Sequence, residues 1–359
     1  MNKKLLIIFT TILMAFGCRL SAQDSVSNLR WPATPNPISD IAIVGIDDAT
    51  MYYLGPASYQ RQGEIYRGSY PLHRVWFGEL TQKLREAGAR IIAFDQLFIK
   101  SWKNYDDQSF SKIIADGPPP ILIGFESIPG PLANSPEIDM RRFALPGIRL
   151  ADSKSFTAGA LALPARELLD SGAAPGCLTD QPDADNVFRH SNLYINYNGY
   201  SLPSLSLAIF MQTIGISPAE IRVYGSGTNR YLSVRGRSIQ ISSKDTLQVA
   251  YPPHNSIFKF YSFYDVVKVK DDFKKGAKEA HAEKMKEYFQ DKIVIVGYND
   301  MALNDWISTP VGGAYPGVEA LAASVNHLLN LYSEVDSNWR SKMRKDDEED
   351  STEVEIIIE

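Results

Sequence analysis

The chain has 359 residues, 44% of them apolar and 22% charged, which is enough to bury one large core or two modest ones and excludes a disordered polymer. A net charge of −5, with neither a basic stripe nor a nucleic-acid motif, excludes nucleic acid as the expected partner.

The first residues, "MNKKLLIIFTTILMAFGCRLSAQDS", put two lysines before an apolar stretch from Leu5 to Phe16 and then small residues, the layout of a secretory signal over residues 1–22. Gly17 directly before Cys18 also resembles a lipoprotein cleavage site. Export is therefore expected either as a soluble periplasmic protein or with a lipid anchor at Cys18. Cleavage beyond Cys18 leaves Cys177 as the sole cysteine, so stability must come from the core and not from a disulfide. No later segment approaches the roughly 18 apolar residues of a membrane span.

"IAIVGI" at 41–46 is a short apolar run bounded by turn residues, the pattern of a strand covered on both faces. The Gly- and Tyr-rich stretch after it, from "ATMYYLG" to "YPLHR", reads as a long loop in which Tyr52, Tyr53, Tyr59 and Tyr66 pack the loop down or line a pocket. From Arg74 the period becomes helical through Phe77, Leu80, Leu84 and Ala87, with Gly88 as the stop. "ARIIAFD" gives a second buried strand, so this strand, helix and strand form a parallel crossover unit. "ILIGF" (121–125) is a third apolar run, and the turn-rich stretch from "SIPGP" to "LADSKS" reads as irregular surface.

A helix is expected around Pro164 to Ser171, then antiparallel strands in "NLYINYNGY", "RYLSVRG", "SIQIS" and "TLQVAY", with a buried helix in "SLPSLSLAIFMQTIG" between them. The Lys- and Glu-rich stretch 271–292 predicts a solvated helix and "KIVIVG" a fourth buried strand. Val318, Leu321, Ala322, Val325, Leu328 and Leu329 then repeat at helical spacing. The fold class expected is α/β, with a mixed, largely parallel sheet flanked by helices and an inserted antiparallel strand section. Residues 38–331 form a single domain, and 332–359 an acidic flexible tail.

Carboxylates stand at or just past the strand ends: Asp47 and Asp48, Asp95, and Asp300 with Asp305. In a parallel sheet ligands bind outside the carboxyl ends of the strands, so neighbouring strands would bring these groups onto one rim, joined by Arg74 and Thr309. Arg189 in "NVFRHSNLY" is a further ligand-binding candidate. The plainer alternative is that each Asp caps a helix or turn and that Asp95 pairs with Arg74. Trp306 is expected to pack. Oxygen-rich ligands suit calcium or magnesium, yet no EF-hand spacing occurs, and the five histidines lack metal-ligand spacing. Neither a nucleophile elbow nor a phosphate loop is present, so no catalytic residue is assigned.

Several of these blocks occur in a recognisable order: "IVGIDDATMYYLG", "YPLHR", "LREAGARIIAFDQLF", "YDDQSF", "DADNVFRHSNL", "SLPSLSLAIF", "FYSFYDVV" and "KIVIVGYNDMALNDWISTPVGGAYPGVEALAASVNHLL". In that order the chain resembles the second family of CHASE-type domains, the extracellular sensory domains associated with cyclases and histidine kinases. Leu321 stands where family members often carry a histidine, so no role of that histidine transfers. The resemblance implies a non-catalytic sensor without a cofactor, whose partner is a small ligand or a membrane-bound signalling protein. A homodimer is a further option. The alternatives are a docking subunit of a membrane kinase or cyclase, and a metal-dependent hydrolase using the Asp rim.

Overall fold

A computed structural model describes residues 40–55, 60–61, 64–65, 72–99, 104–128, 138–268, 276–299 and 305–349. The expected signal at 1–22 with Cys18, the residues Tyr59, Tyr66 and Asp300, and tail residues 350–359 lie outside them. All described residues belong to one unit, Thr34–Glu359.

In chain order the elements are β1 (Ile41–Ile46), α1 (Asp48–Leu54), β2 (Gln60–Arg61), β3 (Glu64–Ile65), α2 (Arg74–Glu86), β4 (Ile91–Leu97), α3 (Asn104–Ala115) and β5 (Ile121–Ile128). There follow β6 (Ala160–Ala162), α4 (Arg166–Asp170), β7 (Ala174–Cys177), β8 (His190–Asn192), β9 (Tyr194–Tyr197), β10 (Tyr200–Pro203) and α5 (Leu205–Ile214). The inserted strands continue with β11 (Ile221–Ser226), β12 (Asn229–Val234), β13 (Arg237–Ile241) and β14 (Thr246–Gln248). The chain then returns to the main sheet through β15 (Lys259–Ser262), α6 (Phe263–Val267), α7 (Ala277–Phe289) and β16 (Ile293–Tyr298). The last elements are β17 (Trp306–Thr309), β18 (Gly312–Pro316) and α8 (Gly317–Glu349).

The central sheet runs β15-β1-β16-β4-β5, all parallel, and β5 then pairs with β7 in parallel and with β6 antiparallel. This is the expected α/β class, with a mixed, mostly parallel sheet. Side chains alternate across each strand. Ile41, Ile43, Ile91, Ala93, Ile293 and Ile295 meet α5 and α8 on one face. Val44, Ile46, Ile92, Phe94, Val294 and Val296 pack on the other face, with residues of α2, α3, α6 and α7. Burying a branched or aromatic side chain of this size stabilises by about 1.5–3 kcal/mol, so both faces need a helical cover.

The antiparallel section is tied down by polar contacts. Arg230 and Asp245, both buried, form an ion pair, and Tyr194 donates to Asp245 Oδ2 at 2.5 Å. Among the expected helices, the Lys-rich one appears as α7, burying Met285 and Phe289.

Five segments depart from the sequence reading or go beyond it. The start of the presumed long loop is helix α1, because Asp47 caps it. The acidic "YDDQSF" lies in α3, and "KFYS" is an edge strand too short to show a period. The stretch read as irregular surface sends Leu145 and Ile148 into the core, with the Leu145 amide bonded to Ser201 O at 2.8 Å. Helix α8 runs through Glu349, past residue 332 where the tail was expected to begin, since no Gly or Pro interrupts it after Gly317.

Candidate functional site

On β4, Asp95 follows Ile91 and Ala93 onto the α5–α8 face. Its neighbours in the sheet are glycines. Val296 is level with Phe94, so Gly297 of β16 lies beside Asp95, and Gly45 of β1 pairs with Gly297. On the other side Gly124 of β5 pairs with Gly176 of β7. These positions have no room for a side chain. A Cβ on Gly297 would stand 2.8 Å from the Val318 Cβ and 3.1 Å from the Asp95 Cβ, and one on Gly176 would stand 2.5 Å from the Leu205 Cα. The glycine row thus lets the first turns of α5 and α8 settle onto the sheet, with Asp95 between them.

The result is a cavity of about 350 Å³ at the carboxyl ends of β4, β5 and β7. Four carboxylates line it: Asp95, Glu126, Asp180 and Asp305. Ser191, Ser204 and Ser206 add hydroxyls, and Phe188, Leu178, Ile307 and Leu321 form apolar walls. Asp305 is held against the start of α8: its carbonyl accepts from the Gly317 amide at 2.9 Å, and a Cβ on Gly317 would lie 2.6 Å from Asp305 Oδ1. Ser204 caps α5 by accepting from the Leu207 amide at 3.2 Å.

Burial and mutual repulsion make these acids reluctant to ionise. Burial, and then the charges of Asp305, Glu126 and Asp180, push Asp95 well above the usual carboxylate range. Burial raises Glu126, and burial followed by the charge of Glu126 raises Asp305. Asp180 is raised to about 6 by burial, against the opposing pull of hydrogen bonds from the Asn192 amide and the Ser191 side chain. Among the described residues no Lys or Arg forms an ion pair with any of the four. Such a set can donate hydrogen bonds while protonated, and ionise when a cation or donor-rich group enters. Cys177, on the same wall, is buried with its thiol pushed up to about 12 and is inert.

Of the residues expected on one rim, the structure brings together Asp95 and Asp305. Asp47 caps α1, accepting from the Thr50 amide at 2.9 Å and the Thr50 hydroxyl at 2.6 Å, while Asp48 is exposed in the first turn of that helix. Arg74 forms a buried ion pair with Asp107 of α3, and its cation lies over the Phe98 ring at 5.5 Å. The pairing of Asp95 with Arg74 is therefore not formed: Arg74 begins α2, which packs on the opposite face of the sheet. Thr309 bonds to Gly312 O at 3.3 Å inside the β17–β18 hairpin. Arg189 holds Asp183 at 3.0 Å and Asp185 at 2.7 Å. Tyr53 is exposed and stacks on Tyr264 with centroids 4.7 Å apart. Trp306 packs edge-on against His254 at 5.8 Å.

Sequence reasoning missed Glu126 and Asp180. Glu126 lies two residues after Gly124, past the end assigned to the third apolar run, and the recurring glycine near each strand end was the signal available for it. Asp180 had no local signal. Among the described residues, no group of three or more His, Cys, Asp or Glu side chains has the geometry to hold a metal ion.

The chain matches the family model of the CHASE2 domain over residues 5–348. No curated protein and no solved structure matches it.

Proposed function

Because the chain belongs to the CHASE2 domain family, the sensory domains of signal-transduction proteins, we propose that it is an extracytoplasmic sensor that binds a small ligand in the Asp95 cavity. The observation that carries this reading is the convergence of Asp95, Glu126, Asp180 and Asp305 on one cavity at the carboxyl ends of parallel strands, where α/β sheets place ligands. Four acids with no cationic side chain paired to them among the described residues favour a ligand that is itself cationic or rich in hydrogen-bond donors. Amines and amino acids are the classes of choice.

The cavity also has a route outward. Gly317, Ala320 and Leu321 of α8 line it, so a ligand that draws Asp305 inward bears directly on the first turn of a 33-residue helix. Export through residues 1–22, with release or lipid anchoring at Cys18, belongs to the same reading. Among the described residues no helix is long and apolar enough to cross a membrane. The hydrolase reading gains no support from the donor geometry.

The test is thermal unfolding of the protein against a panel of divalent cations, amines, amino acids, sugars, nucleotides and peptidoglycan fragments. A ligand at a hundred times its dissociation constant adds about 2.7 kcal/mol, a shift of a few degrees. A shift abolished by Asp95→Asn supports the reading. Silence across the panel removes the small-ligand proposal and favours docking to a membrane kinase or cyclase instead.

A further inference from the structure

We propose that a second cavity, beside β8 and β14, binds a sugar acid or sugar phosphate, a small hydroxylated ring that carries one anionic group. Its volume is about 430 Å³, and it shares the wall of the Asp95 cavity. Side chains alternate along β8, so Ser191 faces the acids while His190 and Asn192 face the second cavity. The loop before β8 divides in the same way, Asp180 to one side and Gln181 to the other. The two cavities therefore have separate linings, and occupancy of one does not require occupancy of the other.

Where the Asp95 wall is acidic, this one is basic. Lys154 and Lys244 line it, and buried Asp245 holds their two segments together. Asp245 follows Lys244 in the chain, and its Oδ2 accepts from the Lys154 amide at 2.7 Å and from the Tyr194 hydroxyl at 2.5 Å, while Arg230 completes a buried ion pair. The backbone under both lysines is thus fixed before a ligand arrives, which lowers the ordering cost of binding. Both lysines are exposed, and among the described residues neither ammonium group forms an ion pair or a hydrogen bond. Asp183, the carboxylate in the lining, is already engaged: Arg189 holds it at 3.0 Å, and His190 Nδ1 lies 3.5 Å from it. An anionic group in the cavity supplies the charge partner that the lysines lack.

The rest of the lining suits a hydroxylated ring. Gln181 and Ser243 offer an amide and a hydroxyl, and Asn192 is set in place by donating to Thr179 O at 2.8 Å. Phe156 adds an apolar face. Polar groups around one apolar face orient a ring whose rim bears hydroxyls and whose faces bear C–H groups.

The test is isothermal titration calorimetry of the full chain at low ionic strength in a phosphate-free buffer. The probes are glucuronate, glucose 6-phosphate, glucose and inorganic phosphate. Glucuronate or glucose 6-phosphate should bind about tenfold or more tightly than glucose or inorganic phosphate, and the better of the two identifies the anionic group as carboxylate or phosphate. In Lys154→Gln/Lys244→Gln that affinity should fall by about tenfold or more, and in the wild type it should weaken as salt is added. The urea midpoint of the double variant should match the wild type, because both side chains are exposed. Four results overturn the proposal. Silence from both acids leaves the cavity without this ligand, and equal affinity for glucose removes the role of the lysines. Equal affinity for inorganic phosphate reduces the site to a surface that attracts any anion, and undiminished affinity in the double variant places the binding elsewhere. The comparison among the four probes is made on the wild type, so it decides even if the double variant is less stable.

Discussion

Burial, and next the charge of Asp305 at the entrance to the β17–β18 hairpin, raise the pKa of Asp95 at the end of β4, so two residues more than two hundred positions apart in the chain are electrostatic neighbours. Among the described residues neither forms an ion pair with a Lys or Arg side chain. The buried guanidinium expected to serve Asp95 is engaged with Asp107 on the far side of the sheet.

This division predicts opposite behaviour for substitutions that the sequence treats alike. Arg74→Met removes one half of the buried Arg74–Asp107 ion pair and should cost about 3–5 kcal/mol of stability. Asp47→Ala removes a helix cap and should cost about 1 kcal/mol, leaving ligand affinity intact. Asp95→Asn should abolish ligand binding while leaving stability equal or higher. Urea denaturation and titration of the ligand found by the thermal panel check all three; retained affinity in Asp95→Asn would remove the cavity from consideration.

The acids also predict a dependence on pH. A carboxylate whose folded pKa lies above its unfolded value binds its proton more tightly in the folded state, so stability is gained as pH falls through the folded pKa toward the unfolded one. For Asp180 that window runs from about 6 down to about 4. Buried His327, whose pKa is lowered, acts in the other direction below its unfolded value. The quantity to measure is thus the difference between the wild type and Asp95→Asn/Asp180→Asn. The wild type should gain stability relative to the variant between pH 7 and pH 5; parallel urea midpoints would count against the assignment.

Gly297→Ala should destabilise by about 1–3 kcal/mol, because its Cβ would fall 2.8 Å from the Val318 Cβ and press the first turn of α8 away from the sheet. Ligand affinity should fall with it, since α8 forms one wall of the cavity. A neutral effect on both would mean that α8 moves freely against β16.

In the inserted section, Arg230→Met should cost about 3–5 kcal/mol by leaving the buried Asp245 carboxylate unpaired. Arg189→Ala, whose pairs with Asp183 and Asp185 are partly exposed, should change stability by less than about 1 kcal/mol. Denaturation midpoints in urea distinguish the two, and equal losses would contradict the burial argument.

The sequence by itself determined the fold class and most of the regular elements. Runs such as "IAIVGI" and "KIVIVG" are apolar at every position because both faces of the sheet are covered, and the 3.6-residue repeat from Val318 could only be a buried helix face. It placed Asp95 and Asp305 on one rim because parallel strands end there, and both line the same cavity. Tertiary structure decided which carboxylates meet. A residue after a strand can turn to either face or cap the next helix, and only packing sent Asp47 to the Thr50 amide and Arg74 to Asp107. Glu126 and Asp180 joined the cavity through the pairing of β5 with β7, a long-range contact between short strands that no local period encodes.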